Sequence, residues 1–410
     1  MRAILHSDLN SYYASVEIML NPALRDLPVA VCGSRETRHG IVLAKSEIAK
    51  RAGVQTGMAI WEAKRCCGDL VVVPPQYELY IRFSRLTREI YARFTGQVEP
   101  FGMDECWLDV TGAPGGTPLE IAEKIRAATK TELGLTVSIG ISFNKVFAKL
   151  GSDMRKPDAI TEIPYEHFRE IVWPLPAGEM LGVGPATRRK LEKRSIDTIG
   201  QLAQTDPQYL RDWFGVNGLR LWRHANGLDE SPVAPLGYSE AAKSFGHGVT
   251  TSADLYNDEE VRNLLYALAP RISRKLRENG VQARTVEIEF RDNELIHYGF
   301  RSKLARPTQS TRELVESAMV LFRQKYVWER PLMSFTLRAA DLISERRPRQ
   351  LDFFGEEERR QRQEKLERAA DEIRARFGND AIQTGSAMLG KLRRNDALEF
   401  VRMPGRMHGF

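Results

Sequence analysis

Three acidic residues, Asp8, Asp104 and Glu105, are the best candidates in this sequence for binding a divalent cation. Asp8 ends the short apolar run RAILHSD, whereas Asp104 and Glu105 lie side by side in the otherwise apolar stretch FGMDECWLDV. Clustered carboxylates repel one another and are costly to bury when ionised, so such a cluster needs a compensating cation. Oxygen ligands with open water positions suit Mg²⁺, and two such ions about 4 Å apart are the arrangement for in-line phosphoryl transfer.

The adjacency of Asp104 and Glu105 constrains the local structure. Neighbouring residues of a straight strand point to opposite faces of a sheet, so both carboxylates reach one point only if the chain turns or bends there. The stretch therefore predicts a tight hairpin turn or a bend. Taken alone, an Asp-Glu pair is more typical of the cap of a surface hairpin than of a metal site. Residues elsewhere in the chain must decide between these two interpretations.

Basic residues accompany the acids. Lys45 and Lys50 lie in KSEIAKR, and Arg155 and Lys156 lie in MRKPD. Lysines beyond a carboxylate-bound metal are the layout that binds a nucleoside triphosphate. Each lysine considered singly more simply belongs to a solvated face. The sequence has no G-x-x-x-x-G-K-[ST] motif, which excludes a P-loop enzyme.

The composition is that of a globular protein. The chain has 410 residues, of which 42% are hydrophobic and 28% charged, and its net charge is +6. This length predicts about two to four domains, and the basic excess is compatible with a nucleic-acid partner without being specific for one. The four cysteines form no C-x-x-C pair, which favours reduced thiols in a cytosolic protein. We expect neither a signal peptide nor a membrane span.

Hydrophobic periodicity places these residues on elements. The first apolar run is a short strand, and a helix follows it because Tyr13, Val16 and Met19 recur at three-residue steps. Strand and helix patterns then continue as a mixed α/β or α+β layer. A mostly helical unit with a glycine-rich turn comes next, followed by a polar linker. The runs TVEIEF, ELIHYGF and LMSFTLRAADL are then predicted as strands around two helices.

The charged segment 356–378 is predicted to be a helix near the C-terminus. Its apolar residues are few and share one stripe, through which we expect the helix to dock with a thin core face. The residues of this stripe are Leu366, Ala370, Ile373 and Phe377.

Four motifs occur in order along the chain: SDLNSYYASVE, FGMDECWLD, GISFNKVFAKLGSDMRKPD and LGVGPATRRKL. Together they resemble the Y-family translesion DNA polymerases, specifically the DinB or DNA polymerase IV branch, over nearly the whole chain. The four motifs jointly are specific, whereas any one alone is not. The resemblance implies a template-directed, low-fidelity DNA polymerase that adds dNTPs to a primer 3′-hydroxyl by two-metal phosphoryl transfer, without proofreading.

The implied fold class is α+β multidomain. It is a right-hand polymerase with a mixed-sheet palm, small fingers and a helical thumb, plus an α/β little-finger domain. The implied boundaries are 1–19 and 75–165 for the palm, 20–74 for the fingers, 166–235 for the thumb with a helix-hairpin-helix, 236–243 for a linker, 244–342 for the little finger and 343–410 for a C-terminal tail.

The resemblance also assigns a metal site. Asp8, Asp104 and Glu105 are the expected catalytic carboxylates that bind two Mg²⁺ ions, and the backbone carbonyl of Leu9 is the expected further ligand. Many relatives have a D-x-D motif at the end of the first strand. Here the second acid is replaced by Asn10, so only Asp8 of this pair is expected to ligate.

The resemblance places a steric gate at Tyr13. A rigid ring under the sugar leaves no room for a ribose 2′-hydroxyl, so discrimination is by clash. Its neighbour Tyr12 is expected to be a packed aromatic.

The expected triphosphate contacts are Lys156, Lys50 and Lys45. Many relatives carry a Tyr and an Arg where this chain has Glu47 and Lys50, so the bidentate fork of Arg is absent here while its charge is kept. Ala159 replaces the usual glycine after the K-P-D step, so we expect that turn to differ.

Further residues resemble the DNA contacts of the family. Gly182 and Gly184 lie in a helix-hairpin-helix-like motif whose backbone amides would bind a DNA phosphate, although such a motif is also a tight interhelical turn. Arg284, Arg301 and Lys303, on or beside strands, are the expected contacts to template and primer phosphates. Phosphate contacts carry no base information, which suits an enzyme that accepts many sequences.

The stretch RQLDFFG resembles the pentapeptide that binds the bacterial sliding clamp. Two aromatics beside an arginine-rich run suit a hydrophobic pocket on a partner, and the alternative is a core strand of the C-terminal region. The expected partners are thus primer-template DNA, a dNTP and the sliding clamp, and we expect a cytoplasmic monomer. The residues of the clamp-like peptide are Gln350, Leu351, Asp352, Phe353 and Phe354.

Two other classes of protein remain alternatives. A catalytically inactive DNA-binding relative is expected to lack the acids, which this chain retains. Another nucleotidyltransferase with the same palm chemistry, such as a cyclase, would share the acids. The thumb motif, the little finger and the clamp-like peptide favour DNA as the substrate.

Overall fold

The protein forms two compact units in a computed structural model. The first contains residues 1–33 and 41–238, and the second contains the described residues from 240 onward. None of the described helices is both long and apolar enough to cross a membrane. The structure describes residues 1–34, 40–238, 240–346, 356–378, 381–382 and 385.

The first unit contains eight strands, arranged as two sheets, and eleven α-helices within its described residues. The strands are β1 (Ile4–Leu9), β2 (Val29–Cys32), β3 (Val42–Lys45), β4 (Val71–Val73), β5 (Val98–Phe101), β6 (Glu105–Asp109), β7 (Val137–Ser142) and β8 (Ile160–Ile163). The helices are α1 (Tyr12–Leu20), α2 (Glu47–Arg51), α3 (Ile60–Cys66), α4 (Tyr77–Tyr91), α5 (Pro118–Leu133), α6 (Lys145–Met154), α7 (Phe168–Val172), α8 (Pro185–Glu192), α9 (Ile199–Gln204), α10 (Pro207–Phe214) and α11 (Val216–Ala225).

A five-stranded sheet of order β5-β6-β1-β7-β8 forms the centre of the first unit. β1 pairs antiparallel with both of its neighbours, and β8 pairs parallel with β7. β1 and β7 are buried along their whole length because helices cover both faces of the sheet. Leu5 packs with Ile121 of α5 on one face, whereas Ile4 packs with Trp107 and with Ala148 of α6 on the other.

Helix α6 approaches the sheet unusually closely, and two glycines permit this. A Cβ atom on Gly140 of β7 would lie 1.9 Å from the carbonyl oxygen of Ala148 and 2.5 Å from the amide of Ser152. A Cβ atom on Gly151 would lie 3.2 Å from the Cα of Gly140. Any side chain at Gly140 would therefore push α6 away from the sheet, and with it the polar residues that α6 carries over the end of β1.

A smaller sheet of order β3-β2-β4 has its own apolar cluster with α2 and α3. The helices from α7 to α11 form another cluster, centred on buried residues such as Leu191, Leu202 and Leu221. These groups follow the strand and helix patterns expected from the sequence. Residues 228–235, which lead into the predicted linker, form no helix or strand.

The second unit is a four-stranded antiparallel sheet of order β11-β10-β12-β9 with two helices packed on it. Its elements are β9 (Ser244–Leu255), α12 (Asp258–Glu278), β10 (Val281–Asp292), β11 (His297–Thr308), α13 (Thr311–Lys325), β12 (Leu332–Ser344) and α14 (Glu356–Phe377). Three strands and two helices were predicted. The first strand, β9, was not, because its sequence SFGHGVTTSADL lacks a regular alternation of apolar and polar residues.

The stripe predicted as the docking face of α14 was wrong. Leu366 is 64% exposed, Ile373 37% and Phe377 75%, and only Ala370 is half-buried. The buried face of α14 instead carries charged side chains spaced by three, four and seven residues. They are Glu357, Arg360, Glu364, Glu367 and Asp371.

Helix α14 therefore docks through ion pairs and not through an apolar stripe. The guanidinium of Arg277 on α12 is buried and lies 2.5 Å from Glu367 and 2.6 Å from Asp371. Glu367 also accepts hydrogen bonds at 3.1 Å from the backbone amide of Thr311, the first residue of α13. A carboxylate at this position satisfies a free helix amide and complements the helix dipole.

Replacing Glu367 by Ala is expected to destabilise the second unit by about 1–3 kcal/mol, because it leaves buried donors of Arg277 and Thr311 with fewer partners. Hydrogen exchange should show lost protection at the start of α13 and along α14. Replacement of Glu358, which is exposed on the same helix, by Ala is the matched control. Equal protection in the two variants would contradict this account of how α14 docks.

Candidate metal centre and nucleotide site

The pairing of β1 with β6 brings the predicted acids together. Asp8 lies directly opposite Glu105 in this antiparallel ladder, so their side chains project from the same face of the sheet. Asp104 precedes β6 in the turn from β5, where Gly102 has a φ of 80°. The turn frees Asp104 from strand alternation, and its carbonyl accepts a hydrogen bond from the amide of Leu9 at 2.9 Å. The predicted hairpin turn is present.

Lys149 and His6 flank the carboxylate of Glu105, and burial lowers the pKa of His6. Nζ of Lys149, on α6, lies 2.8 Å from its carboxylate, and Nε2 of His6 lies 3.2 Å away. His6 is two residues before Asp8 on β1 and therefore on the same face, and its Nδ1 lies 2.8 Å from Oγ of Ser152. Burial alone would raise the pKa of Glu105, but His6 and Lys149 outweigh it and lower the pKa to about 2. Glu105 is therefore ionised at neutral pH.

Asp104 has no comparable support. Among the described residues, no basic side chain lies within ion-pair distance of its carboxylate, whereas burial and the charges of Asp8 and Glu105 raise its pKa to about 7. Ionising Asp104 at neutral pH thus costs free energy that the protein itself does not offset. A bound cation would offset it.

A second lysine holds Asp8. Nζ of Lys156 lies 2.8 Å from Asp8 and 2.8 Å from Asp153, which is the last acid of α6. Burial and the charge of Glu105 raise the pKa of Asp8, and Lys156 opposes this rise. The structure thus brings Lys156, predicted as a triphosphate contact, beside the predicted metal carboxylates.

The fit of this site to a metal depends on its donors. Within the part of the chain that the structure describes, no group of three or more His, Cys, Asp or Glu side chains is arranged to hold a metal ion by itself. Lysine ammonium groups contact Asp8 and Glu105, which would be ligands. The donors are nevertheless hard carboxylate oxygens, and the carboxylate of Asp104 lacks a cation, so the residues fit Mg²⁺.

Tyr13, the predicted steric gate, lies within a cluster of aromatic rings. It stacks face to face on Tyr80 of α4 with centroids 4.2 Å apart, and the ring of Tyr77 meets it edge-on at 6.0 Å. Its hydroxyl lies 3.9 Å from Sδ of Met103, the residue before Asp104. The ring is thereby held next to the turn that carries Asp104. Tyr12 is buried, as predicted.

Both polar atoms of the Asn10 side chain form hydrogen bonds within the protein. Its Nδ2 donates to Ser138 at 2.8 Å, and its Oδ1 accepts from the amide of Asp158 at 2.9 Å. Asp158 has a φ of 54° and is held by Arg126 at 2.6 Å. The left-handed residue of this turn is Asp158, so Ala159 needs no glycine-like backbone.

The structure does not bring the two other predicted lysines into the carboxylate cluster. Lys45, the last residue of β3, donates to Oγ1 of Thr56 at 3.0 Å, and Lys50 lies 3.8 Å from Glu47. Glu47 accepts a hydrogen bond from Ser11, at the start of α1, at 3.0 Å. This bond links the small sheet and its helices to the chain just beyond Asp8.

The two glycines of the predicted hairpin motif lie before α8. Gly182 has a φ of 94°, a conformation that favours glycine, and Gly184 is the residue that precedes the first turn of α8. A Cβ atom on Gly184 would meet no atom within 4 Å, so the backbone is accessible there.

The predicted DNA-contacting side chains of the second unit lie on neighbouring strands. Arg301 and Lys303 are exposed on β11, an edge strand of the sheet. Arg284 is exposed on β10, but its guanidinium pairs with Asp341 at 2.7 Å. The clamp-like peptide 350–354 lies outside the described residues.

Sequence reasoning missed three residues of the site: His6, Lys149 and Asp153. A signal for each was present. His6 is two positions before Asp8 in a strand, and the spacing of Lys149, Asp153 and Lys156 by four and three residues places them on one side of a helix end. What the sequence did not indicate is that this side of α6 faces β1.

Comparison with known proteins finds relatives along nearly the whole chain. Residues 7–153 match the impB/mucB/samB family, and residues 242–353 match the impB/mucB/samB family C-terminal domain. DNA polymerase IV of Acetivibrio thermocellus is 44% identical over 94% of this chain and 97% of that protein. DNA polymerase IV 1 of Bacillus subtilis is 37% identical over 94% of this chain and 93% of that protein.

A solved structure shares the fold. A Y-family DNA polymerase chimera superposes with a TM-score of 0.74 at 21% identity, over 83% of this chain and 99% of the chimera. This likeness confirms the predicted α+β multidomain fold class.

The raised pKa of Asp104 predicts a pH-dependent stability in metal-free protein. In the unfolded chain the pKa is near 3.8 and in the folded chain near 7, so the folded state binds the proton more tightly. The stabilisation that this proton provides is complete below about pH 4 and is lost as pH rises through 7. Asp104→Asn removes this loss, so at pH 8 with a chelator its melting temperature should exceed that of the original protein by several degrees.

The difference should shrink as pH falls towards 4. Asp26→Asn, at an exposed position of the same unit, is the control and should leave the pH profile unchanged. Identical profiles for the Asp104 variant and the original protein would contradict the buried, uncompensated environment of this carboxylate.

Proposed function

Because this chain belongs to the impB/mucB/samB family, and within it to the DNA polymerase IV branch of the Y-family DNA polymerases, we propose that it is a template-directed, low-fidelity translesion DNA polymerase. Its substrates are primer-template DNA and dNTPs. The observation that carries the proposal is the carboxylate cluster of Asp8, Asp104 and Glu105 at the end of the β1–β6 ladder, with Lys156 beside it.

The reaction is phosphoryl transfer from a dNTP to the primer 3′-hydroxyl, without proofreading. Two bound Mg²⁺ ions would lower the pKa of that hydroxyl and stabilise the pyrophosphate that leaves. Asp8, Asp104 and Glu105 supply the carboxylate ligands, and the carbonyl of Leu9 supplies a further oxygen. His6 lies 3.2 Å from the carboxylate of Glu105 and positions it.

Lys156 binds the triphosphate of the incoming nucleotide. Its ammonium now bridges Asp8 and Asp153, so it exchanges a carboxylate partner for phosphate oxygens when the nucleotide enters. Lys45 and Lys50 add charge from the small sheet and its helix. A lysine binds phosphate as a point charge, without the planar fork of arginine.

Tyr13 selects the sugar. Its ring is stacked on Tyr80 and cannot move away without losing that contact, so a 2′-hydroxyl meets a fixed surface. Selection by clash is effective only when the wall is rigid.

We further assign the palm to residues 1–19 and 75–165, the fingers to 20–74, the thumb to 166–235 and the little finger to 244–342, with 236–243 as the linker. Gly182 and Gly184 in the thumb and Arg284, Arg301 and Lys303 in the little finger bind DNA phosphates. Arg284 would exchange its pairing with Asp341 for the phosphate oxygens. The C-terminal tail carries the clamp-binding peptide 350–354, and the enzyme acts as a cytoplasmic monomer.

Primer extension with Mg²⁺ tests the metal assignment. Asp104→Ala and Glu105→Ala should each abolish extension and leave binding of the primer-template duplex largely intact, because the duplex is held by other residues. Asp109→Ala changes an acid at the other end of the same strand and should retain extension. Primer extension by the Asp104 and Glu105 variants would contradict the proposal.

Incorporation of ribonucleotides tests the steric gate. Tyr13→Ala should reduce the preference for dNTPs over rNTPs by roughly 10–200-fold, because the wall beneath the sugar is removed. The measured quantity is the ratio of kcat/KM for the two nucleotides. Tyr165→Ala, at an exposed tyrosine away from the aromatic cluster of Tyr13, is the control. An unchanged ratio for the Tyr13 variant would place the gate elsewhere.

A further inference from the structure

We propose that Lys149 is a built-in counter-ion of the carboxylate cluster, a positioning residue that holds Asp8 and Glu105 together before a divalent metal binds. The proposal rests on the proposed function, since it concerns the same site. It adds a residue that contacts no substrate in the scheme above and acts through the carboxylates.

The position of Lys149 is that of a central cation. Its side chain is only 14% exposed, and its Nζ lies 2.8 Å from Glu105, 3.2 Å from Asp153 and 3.9 Å from Asp8. Burial disfavours its charged form, but the carboxylates around it outweigh burial and raise its pKa. Three carboxylates thus surround the ammonium of Lys149 and favour its charged form.

The side chain of Lys149 is more firmly held than that of Lys156. The side chain of Lys156 is 26% exposed, lies beyond the end of α6 and contacts Asp8 and Asp153. Its proposed transfer to the triphosphate removes a cation from Asp8. Lys149 remains, because it is fixed within α6 and held by Glu105. Asp153, which contacts both lysines, is not among the proposed metal ligands.

A fixed cation at this place has two opposite effects. It stabilises the ionised carboxylates when no metal is present, and it repels a metal that binds to the same oxygens. Loss of Lys149 should therefore destabilise the metal-free protein and strengthen metal binding. A lysine with a merely structural role would instead lower stability equally with and without metal.

Lys145 provides a matched control on the same helix, four residues earlier. It is also buried, with its side chain 8% exposed, and it pairs with a carboxylate, that of Glu99, at 2.7 Å. Its ammonium additionally lies 4.4 Å from the centre of the Trp107 ring. Glu99 is not part of the metal cluster, so the two lysines differ chiefly in whether their partner is a proposed ligand.

The experiment compares the full-length protein with its Lys149→Met, Lys145→Met and Lys149→Arg variants. Melting temperatures are measured with a chelator and with Mn²⁺, and Mn²⁺ affinity is measured by electron paramagnetic resonance of the free ion. Lys149→Met should melt lower than the original protein in chelator, gain more from Mn²⁺ and bind Mn²⁺ roughly 5–10-fold more tightly. Lys149→Arg should behave as the original protein, and Lys145→Met should melt lower by equal amounts in both conditions.

Equal gains from Mn²⁺ in the Lys149→Met and Lys145→Met variants, or weaker Mn²⁺ binding by Lys149→Met, would overturn the role of Lys149. If either Met variant does not fold, the same comparison is made with Gln at both positions. If the original protein shows no Mn²⁺ binding that is lost in the Asp104→Ala variant, the metal site of the proposed function is contradicted, and the role of Lys149 with it.

Discussion

The register between β1 and β6 is the constraint on which the site depends. It sets Asp8 opposite Glu105 on one face of the sheet, and the turn before β6 adds Asp104. Three carboxylates at one buried place repel one another, and each is compensated differently. Glu105 is held by His6 and Lys149 and Asp8 by Lys156, whereas Asp104 has no basic partner among the described residues. This inequality explains why neighbouring acids have pKa values of about 7 and about 2.

Helix α6 supplies most of this compensation, and its close approach to the sheet makes this possible. Because Gly140 and Gly151 have no side chains between β7 and α6, Lys149 reaches Glu105 and Ser152 reaches His6. The same helix carries Lys145, which anchors it to the sheet through Glu99. A tightly packed interface thus fixes the positions of charged side chains that would adopt many rotamers in water.

In the second unit, paired charges form the packing face of a helix. Helix α14 exposes its apolar residues and buries acids against Arg277 and the start of α13. Buried ion pairs contribute little net stability when complete but are costly to break. The helix is consequently held in one register by its charges, a result that a search for apolar periodicity does not find.

The sequence by itself determined the order of most elements, because strand alternation and helical spacing are local properties of the chain. It also predicted that Asp8, Asp104 and Glu105 lie together and that the chain turns between Phe101 and Glu105, since adjacent acids in an apolar run require a bend. Tertiary structure alone decided which further charged and polar residues face the acids. His6, Lys149 and Asp153 enter the site because β1, β6 and α6 meet in one register, whereas Lys45 and Lys50 do not contact the cluster. Long-range pairing, which spacing along the chain does not encode, also decided that α14 docks through its polar face.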